Sequence, residues 1–170
     1  MEPRPDNMRS DVVAAAKAIE KDCREAVQSA NSAAQAWFAV SQAAAPRMSL
    51  WNQTIGQTGI QALATGNLIA QSIPLFQQQA AIWAAVAKDW EGAAKESHTA
   101  AEAQAMIQAA DESRRGVAES KVDHSKQAAL AQTALRAIVE GKVGDGCSIM
   151  AATAMAAITS AAAFLWTIWP

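Results

Sequence analysis

The side chains best suited to metal binding or nucleophilic catalysis in this chain are two histidines, two cysteines and a few carboxylates. His98 and His124 lie far apart, as do Cys23 and Cys147, and none has the spacing of a zinc site. A helical di-iron centre needs Glu-x-x-His on two helices, whereas Glu96 and His98 are two residues apart and point to different faces. Asp111-Glu112 and Glu119 with Asp123 read as a charged solvent face, and both histidines read as solvated helix positions. Cys23 sits in an alanine-lined seam and reads as a small core residue. Cys147 precedes an apolar segment, where it would pack or, at a membrane, be acylated. Gly144-Asp145-Gly146 is no phosphate loop, because no strand precedes it and no Gly-Lys-Ser/Thr follows. No nucleophile, base and acid can be grouped. The expectation is a non-enzyme with no catalytic residue, no cofactor and no metal.

Composition narrows the class. The chain has 170 residues, 51% hydrophobic and 18% charged, with 43 alanines, no Tyr and a net charge of -2. The length suits one domain with a real core. Strand formers are too few for an all-β protein. The apolar fraction is too high for disorder. A pI near 5.7 and the lone Arg114-Arg115 pair leave no footprint for nucleic acid. Two distant cysteines make no disulfide framework. The polar, proline-bearing residues 1–10 read as an extended tail rather than a secretory signal.

The elements that would position these groups are helices. Val12, Ala16, Ile19, Cys23, Ala26, Ala30, Ala33, Trp37, Val40 and Ala44 follow alternating steps of four and three, a heptad seam over residues 11–45. Ser10 or Asp11 would start this helix and Pro46 end it. Alanine at Ala30 and Ala33 lets a partner backbone come close.

Residues 48–87 carry no charge at all. They are too polar for a membrane span and too neutral for an ordinary solvated face. Gly59 and Gly66 weaken a helix, Ala62, Gly66 and Ala70 form a smooth ridge, and Pro74 predicts a break. A charged helix is expected from 88 to 140, the helical block itself starting near Leu75. Its apolar seam is interrupted by Arg114, Lys121 and His124, which predicts a bend near 113–124. Gly141, Gly144 and Gly146 mark a stop and hinge.

Residues 147–169 are again free of charge. Their length suits a transmembrane helix, with Trp166 and Trp169 in an interfacial belt and Arg136 and Lys142 on the cytoplasmic side. Because half the segment is Ala, Ser or Thr, the other reading is an apolar helix packed in a core or polymer. Trp37, Trp83 and Trp90 read as core packing. The seven-residue spacing of Trp83 and Trp90 would, on an exposed face, instead meet lipid or polymer.

The segment Gly59–Ile82 resembles the RebB-type R-body proteins, the "killing trait" family of bacterial refractile inclusions. Ala64, Gly66, Asn67 and Leu68 match its small-residue-Gly-Asn-Leu core, and Gln77–Gln79 its later glutamines. The chain departs from that family in its greater length, in Pro74 and in the apolar segment beyond residue 146. The resemblance implies a bacterial subunit that polymerises into an insoluble ribbon. In composition the chain is also similar to the phasins, which coat polyester granules.

The sequence therefore predicts an all-α protein of long, Ala-rich antiparallel helices with an apolar C-terminal helix. Residues 11–140 would form the bundle and 147–170 the last helix. The expected role is self-assembly as a homo-oligomer or polymer, or coating of a hydrophobic granule, in a cytoplasmic inclusion. Ala30, Ala33, Trp37, Gly59, Gly66, Asn67, Trp83, Trp90, Trp166 and Trp169 are the expected interaction residues. The alternative is a membrane-inserting protein: a tail-anchored adaptor, a secretion translocator or a helical pore former.

Overall fold

The computed structural model describes residues 5–48, 53–93 and 97–141. It is all-α, with no strand among the described residues. Helix α1 spans Pro5–Ala44, α2 spans Gln53–Gly92 and α3 spans Ala100–Val139. A 3-10 turn, Ala45–Arg47, follows α1, and Pro46 inside it closes the helix as expected. At 40 residues each, the helices are about 60 Å long.

Helix α1 is the shared partner. All ten of its predicted seam residues, Val12 to Ala44, are buried. They feed three clusters in order. Met8 and Val12 meet Trp90 and Ala103. Ala16 to Ala26 meet Phe76, Ala80, Trp83, Ala87, Ala110 and Val117. Ala30 to Ala44 meet Ile55, Ala62, Ile69, Ala131, Ala134 and Ile138. Residue numbers along α2 thus fall as those along α1 rise, whereas those along α3 rise with them.

The helices start and stop differently from the sequence expectations. The extended tail is corrected over residues 5–10, because α1 already begins at Pro5, and residues 1–4 lie outside the described residues. Proline suits a first helical position, where its missing N–H is needed by no carbonyl. The break at Pro74 is also corrected. Helix α2 runs through it to Gly92. Pro74 is exposed, and its neighbours Ile69, Ile73 and Phe76 pack inward. Their burial offsets a proline cost of about 3 kcal/mol.

The boundary of the charged helix moves too. Residues 88–92 end α2, and α3 starts after Thr99. Thr99 and Glu102 make a full capping box: the Thr99 hydroxyl accepts from the Glu102 N–H, and the Glu102 carboxylate accepts from the Thr99 N–H. Helix α3 runs unbroken through 113–124, where a weak point or bend is expected from the sequence. Arg114 pairs with Asp22 at 2.8 Å and Lys121 pairs with Glu25, so the polar middle of α3 is tied to α1 by ions. The predicted stop at Gly141 is present, with φ of +76°, a conformation glycine adopts freely. The predicted helix over 147–170 lies outside the described residues.

Candidate interaction surface

The contact between α1 and α2 is set by glycine. A Cβ on Gly66 would lie 2.5 Å from the Phe38 ring and 3.2 Å from the Ala34 carbonyl oxygen. A Cβ on Gly59 would lie 3.0 Å from that of Ala44. These two glycines let the backbones approach where α1 presents alanine, the role expected for Ala30 and Ala33 as well.

The few polar groups in the core are satisfied. Among the described residues, every buried side-chain nitrogen and oxygen has a partner. Trp37 is fully buried and donates its indole N–H to Gln127 Oε1 at 3.1 Å. Ser29 lies between Ala26 and His124: its hydroxyl reaches the Ala26 carbonyl at 3.0 Å and His124 Nδ1 at 3.1 Å. The Ser29 hydroxyl thus links the ring nitrogen of α3 to the backbone of α1. Phe76 of α2 meets the same imidazole edge-on, with centroids 5.8 Å apart.

His124 is therefore no solvated helix position. It follows Ala103, Ala110 and Val117 at seven-residue intervals and precedes Ala131 and Ile138, so it takes a core place in the heptad. Burial holds its pKa below the usual imidazole value, against the opposing pull of Asp123. His98 lies outside the helices, in the connection before α3. It stacks on Trp90 with centroids 4.0 Å apart, near Asp89 and Glu102. Burial, with Asp22 adding to it, pushes the Cys23 thiol up to about 11, which suits an inert core residue. Among the described residues no group of three or more His, Cys, Asp or Glu could hold a metal ion.

Most of the predicted interaction residues face inward. Ala30, Ala33, Trp37, Gly59, Gly66, Trp83 and Trp90 are buried within this one chain. They pack helix on helix inside this chain. The core reading of Trp37, Trp83 and Trp90 agrees with this placement. Asn67 alone among those described lies on the surface. Trp166 and Trp169 lie outside the described residues.

What α2 turns outward had to be read from the structure. Its exposed residues from Gln53 to Ala85 include Gln57, Ile60, Gln61, Leu63, Asn67, Leu68, Gln71, Gln77, Gln78 and Ile82. Ile60 is 68% exposed, and Leu63, Leu68 and Ile82 are each more than two-fifths exposed. No charge interrupts this flank before Lys88. At 1.5 Å per residue, 53–87 covers about 52 Å. The region of low charge extends beyond residues 48–87. From 26 to 87 the only charged residue is Arg47.

Charge gathers elsewhere. Helix α1 carries it before residue 26, where Lys17 pairs with Glu91 and Arg24 with Glu20. Arg9 closes the end of α2 by donating to the carbonyls of Trp90 and Glu91. An open groove of about 440 Å³ between α1 and α3 is lined by Asp22, Asp111, Arg114, Arg115 and Ala118. Asp22 and Arg114 pair there at 2.8 Å. Among the described residues no helix is long and apolar enough to cross a membrane. Comparison with known proteins found no matching family model, no matching curated protein and no matching solved structure.

Proposed function

We propose that this chain is a non-catalytic structural protein, an elongated, antiparallel, coiled-coil-like helical bundle that self-assembles through the outer flank of α2. One observation carries the reading: a flank about 52 Å long with no charged side chain, studded with exposed Ile60, Leu63, Leu68 and Ile82. Charge on such a face would repel a second copy and cost desolvation on contact. Its absence removes both obstacles, and exposed apolar groups on a neutral amide-rich face favour association.

The resemblance to R-body proteins supports a polymer subunit. Of its matching residues, Ala64, Asn67, Leu68, Gln77 and Gln78 lie on this flank, Gln79 is half-buried and Gly66 is buried against α1. A phasin-like granule coat is the second form of the same reading, with a polyester surface replacing the second copy. Either form belongs in a cytoplasmic inclusion or granule. Sedimentation velocity and negative-stain microscopy of the purified protein test the proposal. Concentration-dependent oligomers, ribbons or granule binding are expected, and a soluble monomer at every concentration would refute it.

The uncharged segment 147–169 favours a second reading, insertion into a membrane through residues 147–170. Carbonate extraction of cells separates the two. Retention in the membrane pellet that is lost on deleting 147–170 supports insertion.

A further inference from the structure

We propose that residues 147–169 of this same chain dock along the first two-thirds of the α2 outer flank, covering Ile60, Leu63 and Leu68. This rests on reading that flank as an association surface, and names one occupant for part of it.

Three observations converge. The first is place. Ala44, Ile55 and Ile138 share one cluster, so the chain leaves α3 at the end of the molecule where α2 begins. Gly141 turns there with φ of +76°, which ends α3 and lets the chain reverse. Lys142 to Gly146 then give five linking residues, able to span about 17 Å when extended and within the usual range for helix–helix connections.

The second is length. As a helix, the 23 residues from Cys147 to Trp169 would cover about 35 Å. Laid along α2 from its start, they reach to about residue 76 and pass over Ile60, Leu63 and Leu68. Ile82 and the rest of the flank stay open to a second copy.

The third is charge. Helices α1 and α3 both bear charges on their outer faces, including Lys17, Lys21, Arg115, Glu119 and Lys126. An uncharged helix laid over those would take charges, paired and unpaired, out of water at a desolvation cost. The α2 flank carries no charge from 53 to 87, so 147–169 laid along it costs no charge desolvation.

Disulfide trapping in the full-length protein tests this. Cys147 supplies one thiol, and Gln57→Cys supplies the other on the exposed start of the flank. Cys23 is buried and stays out of the reaction. Under mild oxidation, Gln57→Cys is expected to give a disulfide at monomer mass, about tenfold more than Lys88→Cys at the far end of α2. A second pair, Gln71→Cys with Ala161→Cys on a Cys147→Ala background, is expected to link in the same way. Links only at dimer mass would assign the site to a second copy and overturn the proposal. So would no link in either pair, or equal linking of Lys88→Cys. Sedimentation of the same samples separates this inference from the one beneath it. Oligomers without a monomer-mass link refute the docking and leave self-association standing, whereas a linked chain that never associates does the reverse.

Discussion

Trp37 on α1 gives its indole N–H to Gln127 on α3 across the core, with both side chains buried. An indole is large and apolar, so burying it stabilises the bundle, yet its one donor must find an acceptor. Gln127→Leu keeps the volume and orphans that donor. It should destabilise the protein by about 1–3 kcal/mol. In the Trp37→Phe background the same change should cost about 1 kcal/mol less, because no donor is then left unpaired. Urea melts of the four proteins check this, and simple additivity would show that the bond contributes nothing.

Gly66 and Gly56 make a contrasting pair on one helix. Alanine at either gains up to about 1 kcal/mol of helix propensity. At Gly56 the new Cβ meets only the flexible Met48 side chain at 3.6 Å, so Gly56→Ala should be neutral or stabilising. At Gly66 it meets the Phe38 ring and the Ala34 carbonyl, and the overpacking of about 1–3 kcal/mol wins. Thermal melts should fall for Gly66→Ala and hold or rise for Gly56→Ala. A stabilised Gly66→Ala would mean that α1 and α2 are not in close contact there.

His124 gives stability a pH dependence. Its folded pKa lies below the unfolded value of about 6.5, because burial disfavours the imidazolium. The unfolded chain thus binds the proton first as pH falls. The contribution is fully present above about pH 6.5 and is lost as pH drops below it. Glu25 and Lys121 at the neighbouring helix contact, and Asp123 beside the ring, are the charged groups near it. Chemical melts between pH 7.5 and 5 should show His124→Gln losing less stability on acidification than the parent. Parallel curves for the two would contradict the buried neutral ring.

Ala33→Glu places a carboxylate in a fully buried seam position. It should cost several kcal/mol and unfold the bundle rather than dissolve an assembly of folded chains. Circular dichroism reads this directly, and an unchanged melt would remove α1 from the centre of the fold. Ala30→Glu should behave alike for the same reason.

Much of α1 was legible because its ten seam residues are unambiguous in type and step. Helix α2 carries an equally regular seam, Ile55, Gly59, Ala62, Gly66, Ile69, Ile73, Phe76, Ala80, Trp83, Ala87 and Trp90. It is hidden by Gly59 and Gly66, which look like weak points and act as close contacts, and by Pro74, whose local cost is outweighed by packing across the helix. Thr99-x-x-Glu102 is a capping signal readable from sequence, and it marks the start of α3. His124 and Gln127 are polar types in core positions, so only their heptad place and their partners on α1 show that they are buried. The missing charge on α2 is plain in the sequence. Which of those neutral residues point outward follows only once α1 has taken the inner seam.

The central claim is that the neutral outer flank of α2 drives association, and the most direct measurement places charge on it. Gln78→Lys combined with Ile82→Lys alters two exposed side chains beyond the reach of residues 147–169 and should leave helicity and melting unchanged. In sedimentation velocity over a wide concentration range, the parent should form oligomers or larger assemblies and the double variant should stay monomeric. A parent that is monomeric throughout, or a variant that assembles as well as the parent, would contradict the account.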